Sequence, residues 1–555
     1  MIKLVIALLG GILMGFSVAP VGAFYGAWIA LVPLWVLLFY PHNEIKKNSL
    51  KVNLQARWKP NLFDNLKLFF NQKTLLAFLW GVGYHGLALF WITGIHPMTW
   101  MGVPWLASLG IAIACWSLIT FWGAVLVWAW AVGMSFFETL SIGKQFSDKN
   151  QLTGVDRGLR ILLGVALWCA LETLWSHGPL WWSAIAYTQS PHNLFLLQLG
   201  QLSGFATVTA AIVATNGILG EIILVITAKK PSPWASFRLF LIPLSFLFSL
   251  HLLGLYLYNR PLNDLPSQAI SMGIIQGNIP NEIKLYPQGL AKAIEGYTDG
   301  YQKLAESKVD LVLTPEGALP FYWKDIVSYS PFYQAVLKEK IPVLLGAFGR
   351  SEKDITNSLF VIDAEGKQIS RFDKVKLVPL GEYIPFRSII GGVIKRLSPL
   401  EGQFTPGNPQ QILMTPVGQA IAAICYESAF GETFRYQAFQ GGEFIVTAAN
   451  NAHYSHAMPA QHHAQDVMRA IETDRWLARA TNTGYSAIIN PQGRTIWLSK
   501  LDEYALHSGN IYRRQTNTLY VLWGDWLTPS LCLIAFGIVL WRHKFLTNSM
   551  KKKLK

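Results

Sequence analysis

Charge is what this sequence has little of. Only 14% of its 555 residues are Asp, Glu, Lys or Arg, against about 25% in an ordinary soluble domain, and 52% are hydrophobic. That balance excludes one water-soluble globule, and the length exceeds a single ordinary domain. The shortage is local. Residues 1–259 and 519–555 are apolar runs joined by basic connectors, whereas 260–518 holds 25 Lys/Arg and 24 Asp/Glu and reads as an aqueous domain. Cysteine is scarce too. Of the four, Cys115, Cys169 and Cys532 fall in apolar runs, so Cys425 has no disulfide partner in the polar segment. Of the net charge of +14, all but +1 therefore lies outside 260–518, with the apolar runs. A nucleic-acid binder would concentrate it on the soluble body, so nucleic acid is excluded as a partner.

Apolar stretches of about 17–25 residues cross a bilayer as helices. Eight such runs are expected, near 4–19, 24–40, 75–94, 103–132, 159–176, 203–227, 239–258 and 519–541. The first lacks a small-residue cleavage site followed by a polar mature sequence, so it reads as a span and not a signal peptide. Basic residues mark alternate connectors: Lys46, Lys47, Lys51, Arg57, Lys59, Lys67 and Lys73; Lys144, Lys149, Arg157 and Arg160; Lys229, Lys230 and Arg238; and a tail from Arg542 to Lys555. Connectors 95–102 and 177–202 contain no Lys or Arg. The positive-inside rule then puts both termini in the cytoplasm and 260–518 outside. The expected organisation is a seven-span bundle (1–259), an extracytoplasmic domain (260–518), a last span (519–541) and a basic cytoplasmic tail (542–555).

Within 260–518, short apolar runs alternate with helical patterns, which implies a layered α/β sheet domain. Strands are expected at Met272–Gln276, Leu311–Thr314, Val343–Phe348, Ser358–Asp363, Ile421–Cys425, Phe444–Ala448 and Tyr485–Asn490. Helices are expected near 288–307, 329–340, 433–440 and 460–477.

Three motifs fall where α/β folds tend to place their chemistry, at strand ends. Leu311-Val312-Leu313-Thr314-Pro315-Glu316 ends on a Pro that cannot continue the ladder. Lys374 opens a second string that runs to Glu382, and Ala422-Ala423-Ile424-Cys425-Tyr426-Glu427 delivers a thiol. Alone, each has a plain reading: a solvated loop Glu, a surface Lys, a packed Cys. Together, a carboxylate base, a cation and a thiol are what thiol-based acyl transfer requires.

The order Glu, Lys, Cys with these flanks resembles the nitrilase superfamily. The strings KVKLVPLGEYIPF, AAICYES and RATNTG, with IIQGNIP opening the domain, resemble its membrane-bound apolipoprotein N-acyltransferase branch. The resemblance spans nearly the whole chain. It implies an αββα sandwich carried by a polytopic helical bundle, with catalysis by Glu316, Lys374 and Cys425 and supporting roles for Glu382, Tyr426 and Glu427. It also implies a bacterial inner-membrane enzyme that needs no cofactor or metal and acts as a monomer. The implied acyl donor is a membrane phospholipid, and the acceptor is the N-terminal amine of a diacylglyceryl apolipoprotein. Two departures are visible. Leu285 follows Lys284 where members carry Trp, and Asn450-Asn451-Ala452-His453-Tyr454 replaces an Asn-Asp-Ala-Trp-Phe run.

Other features stay open between packing and function. Trp181, Trp182, Tyr187, Phe321, Tyr322 and Trp323 could line a substrate mouth or simply pack. His85 and Glu172 lie in apolar runs, where a charge is costly. His453, His456, His462 and His463 match no standard zinc spacing. A membrane-bound amidase uses the same triad, with water in place of the amine. A transporter or receptor would need a charged path through the spans, for which Glu172, Glu221 and His85 are the candidates.

Overall fold

The computed structural model describes residues 1–40, 69–142, 153–351, 354–384 and 404–553, without the side chains of 139–142, 351 and 543–553. Lys46, Lys47, Lys51, Arg57, Lys59, Lys67, Lys144, Lys149 and Lys555 lie outside the described residues, as do Pro385 and Phe386 of the second motif.

Apolar helices at Ile2–Gly15, Val32–Phe39, Gln72–Ala88, Trp105–Ile142, Gly154–Ser176, Phe205–Lys229, Pro233–Tyr258 and Leu527–Lys553 pack into a bundle. Side-chain caps start several of them: Asn71 and Thr153 each close a capping box, and Ser232 caps a helix with Pro233 in its first turn. Among the described residues, four stretches are long and apolar enough to cross a membrane, namely Trp105–Glu138, Gly154–Ser176, Phe205–Lys229 and Pro233–Tyr258. The spans expected at 4–19, 24–40, 75–94 and 519–541 fall on shorter helices. The last is divided because Gly524, at φ 66°, ends the short helix Leu519–Trp523 before Leu527 opens the next.

The polar segment folds into two sheets. Its strands are β1 (Ala269–Gln276), β2 (Leu311–Leu313), β3 (Leu319–Tyr322), β4 (Val343–Ser351), β5 (Asp354–Ile362), β6 (Gln368–Asp373), β7 (Leu413–Thr415), β8 (Gly418–Ile424), β9 (Phe444–Ala449), β10 (Leu477–Thr481), β11 (Ala487–Ile489), β12 (Thr495–Leu498) and β13 (Ala505–Tyr512). One sheet runs β13-β1-β2-β4-β5-β6 with β3 beside β4, and the other runs β12-β11-β10-β9-β8-β7. Ile274, Leu313 and Leu344 meet Ala422, Val446 and Ala478 between the sheets. Helices Pro287–Glu306 and Pro331–Glu339 cover the outer face of the first sheet through Tyr297, Tyr301, Phe332 and Val336. Helices Gly431–Phe439 and Ala457–Thr473 cover the second. This is an αββα sandwich, with central strands buried on both faces and therefore apolar without alternation.

Helix Ala457–Thr473 joins the two regions. Every residue from Gln461 to Thr473 is buried, because one face meets the sheet and the other meets the bundle in a single continuous core. The helix expected at 460–477 stops at Thr473. Asp474 turns left-handed at φ 54°, and Leu477 opens β10 beside β9.

Candidate active site

Glu316 stands just past β2, on a turn that Pro315 forces out of the ladder. The turn lies flat on β4 because Gly346 has no side chain; a Cβ there would stand 2.0 Å from the Pro315 carbonyl oxygen. Lys374 follows the last residue of β6, and its backbone N–H donates to the Asn357 carbonyl on β5 (2.8 Å). Cys425 follows the last residue of β8 with φ 54°, a left-handed conformation that costs a non-glycine residue energy and recurs at functional sites. His462 Nε2 bonds the Cys425 carbonyl (2.8 Å), and Asn451 Nδ2 bonds His462 Nδ1 (3.1 Å). That pair of contacts fixes a neutral ring with its proton on Nε2. The fold thus brings the three residues singled out in the sequence to one place.

Lys374 Nζ donates to Glu316 Oε1 (2.9 Å) and lies between the two oxygens of Glu382 (3.0 and 2.9 Å). Asn357 Nδ2 donates to Glu316 Oε1 (2.7 Å) and Glu382 Oε1 (2.9 Å), and the Asn450 N–H donates to Glu316 Oε2 (2.9 Å). Glu316, Lys374 and Cys425 are 8%, 1% and 5% exposed. Burial favours a neutral Glu316, yet the Lys374 charge and hydrogen bond hold its carboxyl below the ordinary glutamate range. Burial alone would strip the Lys374 ammonium, but Glu316 and Glu382 hold it well above the usual lysine range. Burial, and then the Glu316 charge, push the Cys425 thiol up to about 12. At rest the proton therefore sits on sulfur while Glu316 is ionised. Proton transfer to Glu316 becomes favourable only as sulfur forms a bond to carbon.

The supporting residues hold this arrangement. Glu427 accepts from the backbone N–H groups of Ile424 (2.7 Å), Val375 (2.7 Å) and Lys376 (3.1 Å), which ties the Cys425 turn to the segment after Lys374. Burial nonetheless raises its carboxyl to about 7. The Tyr426 hydroxyl accepts from the Trp181 N–H (2.9 Å) and has the carbonyls of Pro179 (2.8 Å) and Trp181 (2.9 Å) as acceptors. The neighbour of Cys425 is thereby anchored on the connector between two bundle helices.

From Cys425 and Tyr426 an apolar cavity continues into the bundle, between helices Gln72–Ala88 and Trp105–Ile142. Leu89, Ile119, Leu126 and Trp175 line it, and Trp181 and Trp182 flank the thiol end. The other four aromatic candidates lie elsewhere. Tyr187 takes a hydrogen bond from Arg469, Tyr322 lies under Arg350, Trp323 stacks on Phe360, and Phe321 packs with the outer helices. His85 borders the cavity with Nδ1 2.9 Å from Ser183 Oγ. Glu172 accepts from Trp168, the Ile185 N–H and Thr209, so it pins the connector that carries Trp181 and Trp182. The four clustered histidines have separate partners: Asn281 for His453, Asp502 for His456, Cys425 and Asn451 for His462, and Thr495 for His463.

Residues 65–218 match the apolipoprotein N-acyltransferase N-terminal domain family, and residues 272–511 match the carbon-nitrogen hydrolase family. The apolipoprotein N-acyltransferase of Nostoc sp. is 50% identical over 540 residues, covering 97% of this chain and 99% of that one. The chain belongs to the apolipoprotein N-acyltransferase family. The Synechocystis sp. member is 49% identical over 96% of this chain and 98% of its own. Among solved structures, an amidase from Nesterenkonia sp. is similar over 46% of this chain and 94% of its own, at 18% identity and a TM-score of 0.35. Membership makes this chain a membrane acyltransferase with a nitrilase-like unit, and the αββα sandwich is the architecture such a unit needs.

Proposed function

We propose that the enzyme moves an acyl chain from a membrane phospholipid to Cys425, and from there to the N-terminal amine of a diacylglyceryl-cysteine on an apolipoprotein. The observation that carries this reading is the apolar cavity running from the thiol into the bundle. A hydrolase of small polar amides has no use for it. An acyl chain gains about 0.8 kcal/mol per CH₂ kept out of water, and both substrates are already held in the bilayer by their tails.

Glu316 takes the Cys425 proton as sulfur attacks the ester carbonyl, and Lys374 balances the charge that forms. The carbon–oxygen bond to the glycerol then breaks, and Glu316 returns the proton to the departing oxygen. Lysophospholipid leaves and a thioester remains. The acceptor amine attacks it in turn, Glu316 takes an amine proton, and that proton returns to sulfur as the amide is released. Ester to thioester to amide ends downhill, with ping-pong kinetics. All three groups come from one chain, which supports a monomeric enzyme.

The same reading places the enzyme in the bacterial inner membrane with 260–518 outside and both termini in the cytoplasm. Two observations support it. The connectors without Lys or Arg touch the sandwich, through Tyr426 on Trp181 and the Tyr286 hydroxyl on the Trp100 carbonyl. Basic residues gather at the opposite helix ends, where Arg157 pairs with Glu221 and Arg542 with Asp156. Cysteine introduced at exposed Glu365 should react with an impermeant maleimide on intact cells, whereas cysteine at exposed Lys230 should not; the reverse pattern overturns the orientation.

The decisive experiment concerns the intermediate. Phospholipid alone should acylate the enzyme and release lysophospholipid in a single burst. Mass spectrometry should place the acyl group on Cys425, and neutral hydroxylamine should remove it. A diacylglyceryl peptide with a free amine should discharge it as an amide, and an N-blocked peptide should not. Discharge by water as fast as by the amine would make the enzyme a hydrolase.

A further inference from the structure

Lys284 is a second lysine of the site that the triad does not use. It is 6% exposed, and its ammonium donates to the Glu316 carbonyl oxygen at 3.2 Å. Among the described residues it has no other hydrogen-bond acceptor or ion-pair partner within reach. An ammonium carries three donors, and a buried charge with donors unused is unfavourable unless a ligand completes it. Lys374 differs, because two carboxylates already hold it. The cation with donors left for an arriving oxygen is Lys284.

Its placement is fixed by residues with no chemistry of their own. The Ile279 N–H donates to Asn482 Oδ1 (2.9 Å), Asn482 Nδ2 donates to the Ile279 carbonyl (2.7 Å), and the Asn278 N–H donates to the Asn482 carbonyl (2.8 Å). The end of β10 thus clamps the segment leading to Lys284. Beneath it, Gly289 allows the next helix to start in contact, since a Cβ there would stand 2.0 Å from the Ile283 carbonyl oxygen and 2.8 Å from Lys284 Cα.

We propose that Lys284 hydrogen-bonds the donor oxygen that becomes negative when Cys425 attacks, and so is a fourth catalytic residue; this rests on the acyl-transfer reading above. As the sulfur–carbon bond forms and Glu316 takes the thiol proton, the carbonyl π pair moves onto oxygen, which accepts an N–H of Lys284. When the carbonyl reforms, the carbon–oxygen bond to the leaving alcohol breaks and Glu316 supplies its proton. Lys284 stays an ammonium throughout. Burial pulls that ammonium down to about 8 against the raising effect of Glu316 and Cys425, and His453, Lys374, Glu382 and Tyr454 are further titratable groups of the site.

The test uses the full-length enzyme in detergent and the single-turnover acylation of Cys425, with phosphatidylglycerol and with p-nitrophenyl palmitate, an ester without phosphate. Lys284→Met should slow acylation about 100-fold or more with both donors, the effect of removing one oxyanion donor, with little change in the donor concentration that half-saturates. Lys284→Arg, which keeps a cation, should recover most of the rate. It should also lose the decline that the unmutated enzyme shows as pH rises through about 8. Acylation of Lys284→Met within about threefold of the unmutated rate would overturn the proposal. So would a loss confined to phosphatidylglycerol, which would put the ammonium on the phosphate, or failure of Lys284→Arg to act faster than Lys284→Met. If the unmutated enzyme forms no adduct with either donor, the acyl-transfer reading itself falls, a result separate from any difference among the variants.

Discussion

Each half of the molecule buries a cluster of charge, and the two clusters resemble each other closely. In the bundle, Glu221 accepts from Arg160 (3.0 Å), Arg157 (2.8 Å) and the Trp35 indole (3.1 Å), and Glu138 extends the network to Lys73. In the sandwich, Glu316 accepts from Lys374, Asn357 and the Asn450 N–H. Both carboxylates have three donors. What differs is the neighbour. Beside Glu316 lies a thiol whose one hydrogen-bond contact among the described residues is the Asn450 carbonyl at 3.9 Å, facing a cavity. A buried charge with a completed surround holds helices together. The same charge next to an uncommitted thiol is what the proposed acyl transfer would use.

The comparison breaks most sharply at Cys425. Cys425→Ala should lower acyl transfer by about 10⁴-fold or more, as removal of a nucleophile from a cooperating set does, with the unfolding temperature nearly unchanged. Glu316→Gln should lose as much activity. Lys374→Met should lose stability as well, since it leaves buried Glu316 and its neighbour Glu382 without their cation. Cys115→Ala, Cys169→Ala and Cys532→Ala should keep most activity. The bundle cluster should behave in the opposite way: Glu221→Ala should cost about 3–5 kcal/mol by breaking a buried pair, visible in thermal unfolding, while each folded molecule keeps nearly its full rate. Tyr426→Phe removes only the hydroxyl anchor on Pro179 and Trp181 and should cost about 1 kcal/mol of positioning, a several-fold drop in rate. The mildest test sharpens the idea of an uncommitted thiol. With the Cys425 thiol raised to about 12, its alkylation by iodoacetamide should keep rising with pH past the value near 8.5 where a free cysteine levels off. A plateau there would mean that burial and Glu316 do not hold the proton on sulfur.

The residues proposed to react were readable in the sequence because Glu316 and Cys425 each follow an apolar strand that ends abruptly, and strings of flanking residues around them and Lys374 tied them to one family. The residues that hold them were not. Asn357 lies inside β5, where a polar side chain looks like ordinary strand alternation, although it bridges Glu316 and Glu382. The Asn450 contribution is a backbone N–H, which no side-chain pattern reveals. Asn482 stood within the RATNTG string and Lys284 beside the Leu285 departure, but the clamp of Asn482 on Ile279 across the fold has no local signature. Six strands, β3, β6, β7, β10, β12 and β13, also escaped sequence expectation. Most are short, and β12 and β13 lie at sheet edges, half exposed, so neither a continuous apolar run nor a clean alternation marks them. A charged residue with its hydrogen bonds half used, like Lys284, becomes visible only once its neighbours are known.

The antiparallel pairing of β1 with β13 has a consequence for how the chain reaches this state. The first and last strands of the sandwich lie side by side, Ala269 opposite Tyr512 and Gln276 opposite Ala505, so the first sheet has an open edge until nearly the whole unit has been synthesised. Loop closure over so long a segment costs entropy, though only logarithmically in its length. Helices Pro233–Tyr258 and Leu527–Lys553 flank the two ends of that segment, and both pack on helix Phe205–Lys229, which shortens the search. A chain stopped before Ala505 would leave β1 with unpaired N–H and C=O groups, a template for aggregation, so quality control of a truncated product would fall to proteases that recognise a free strand edge.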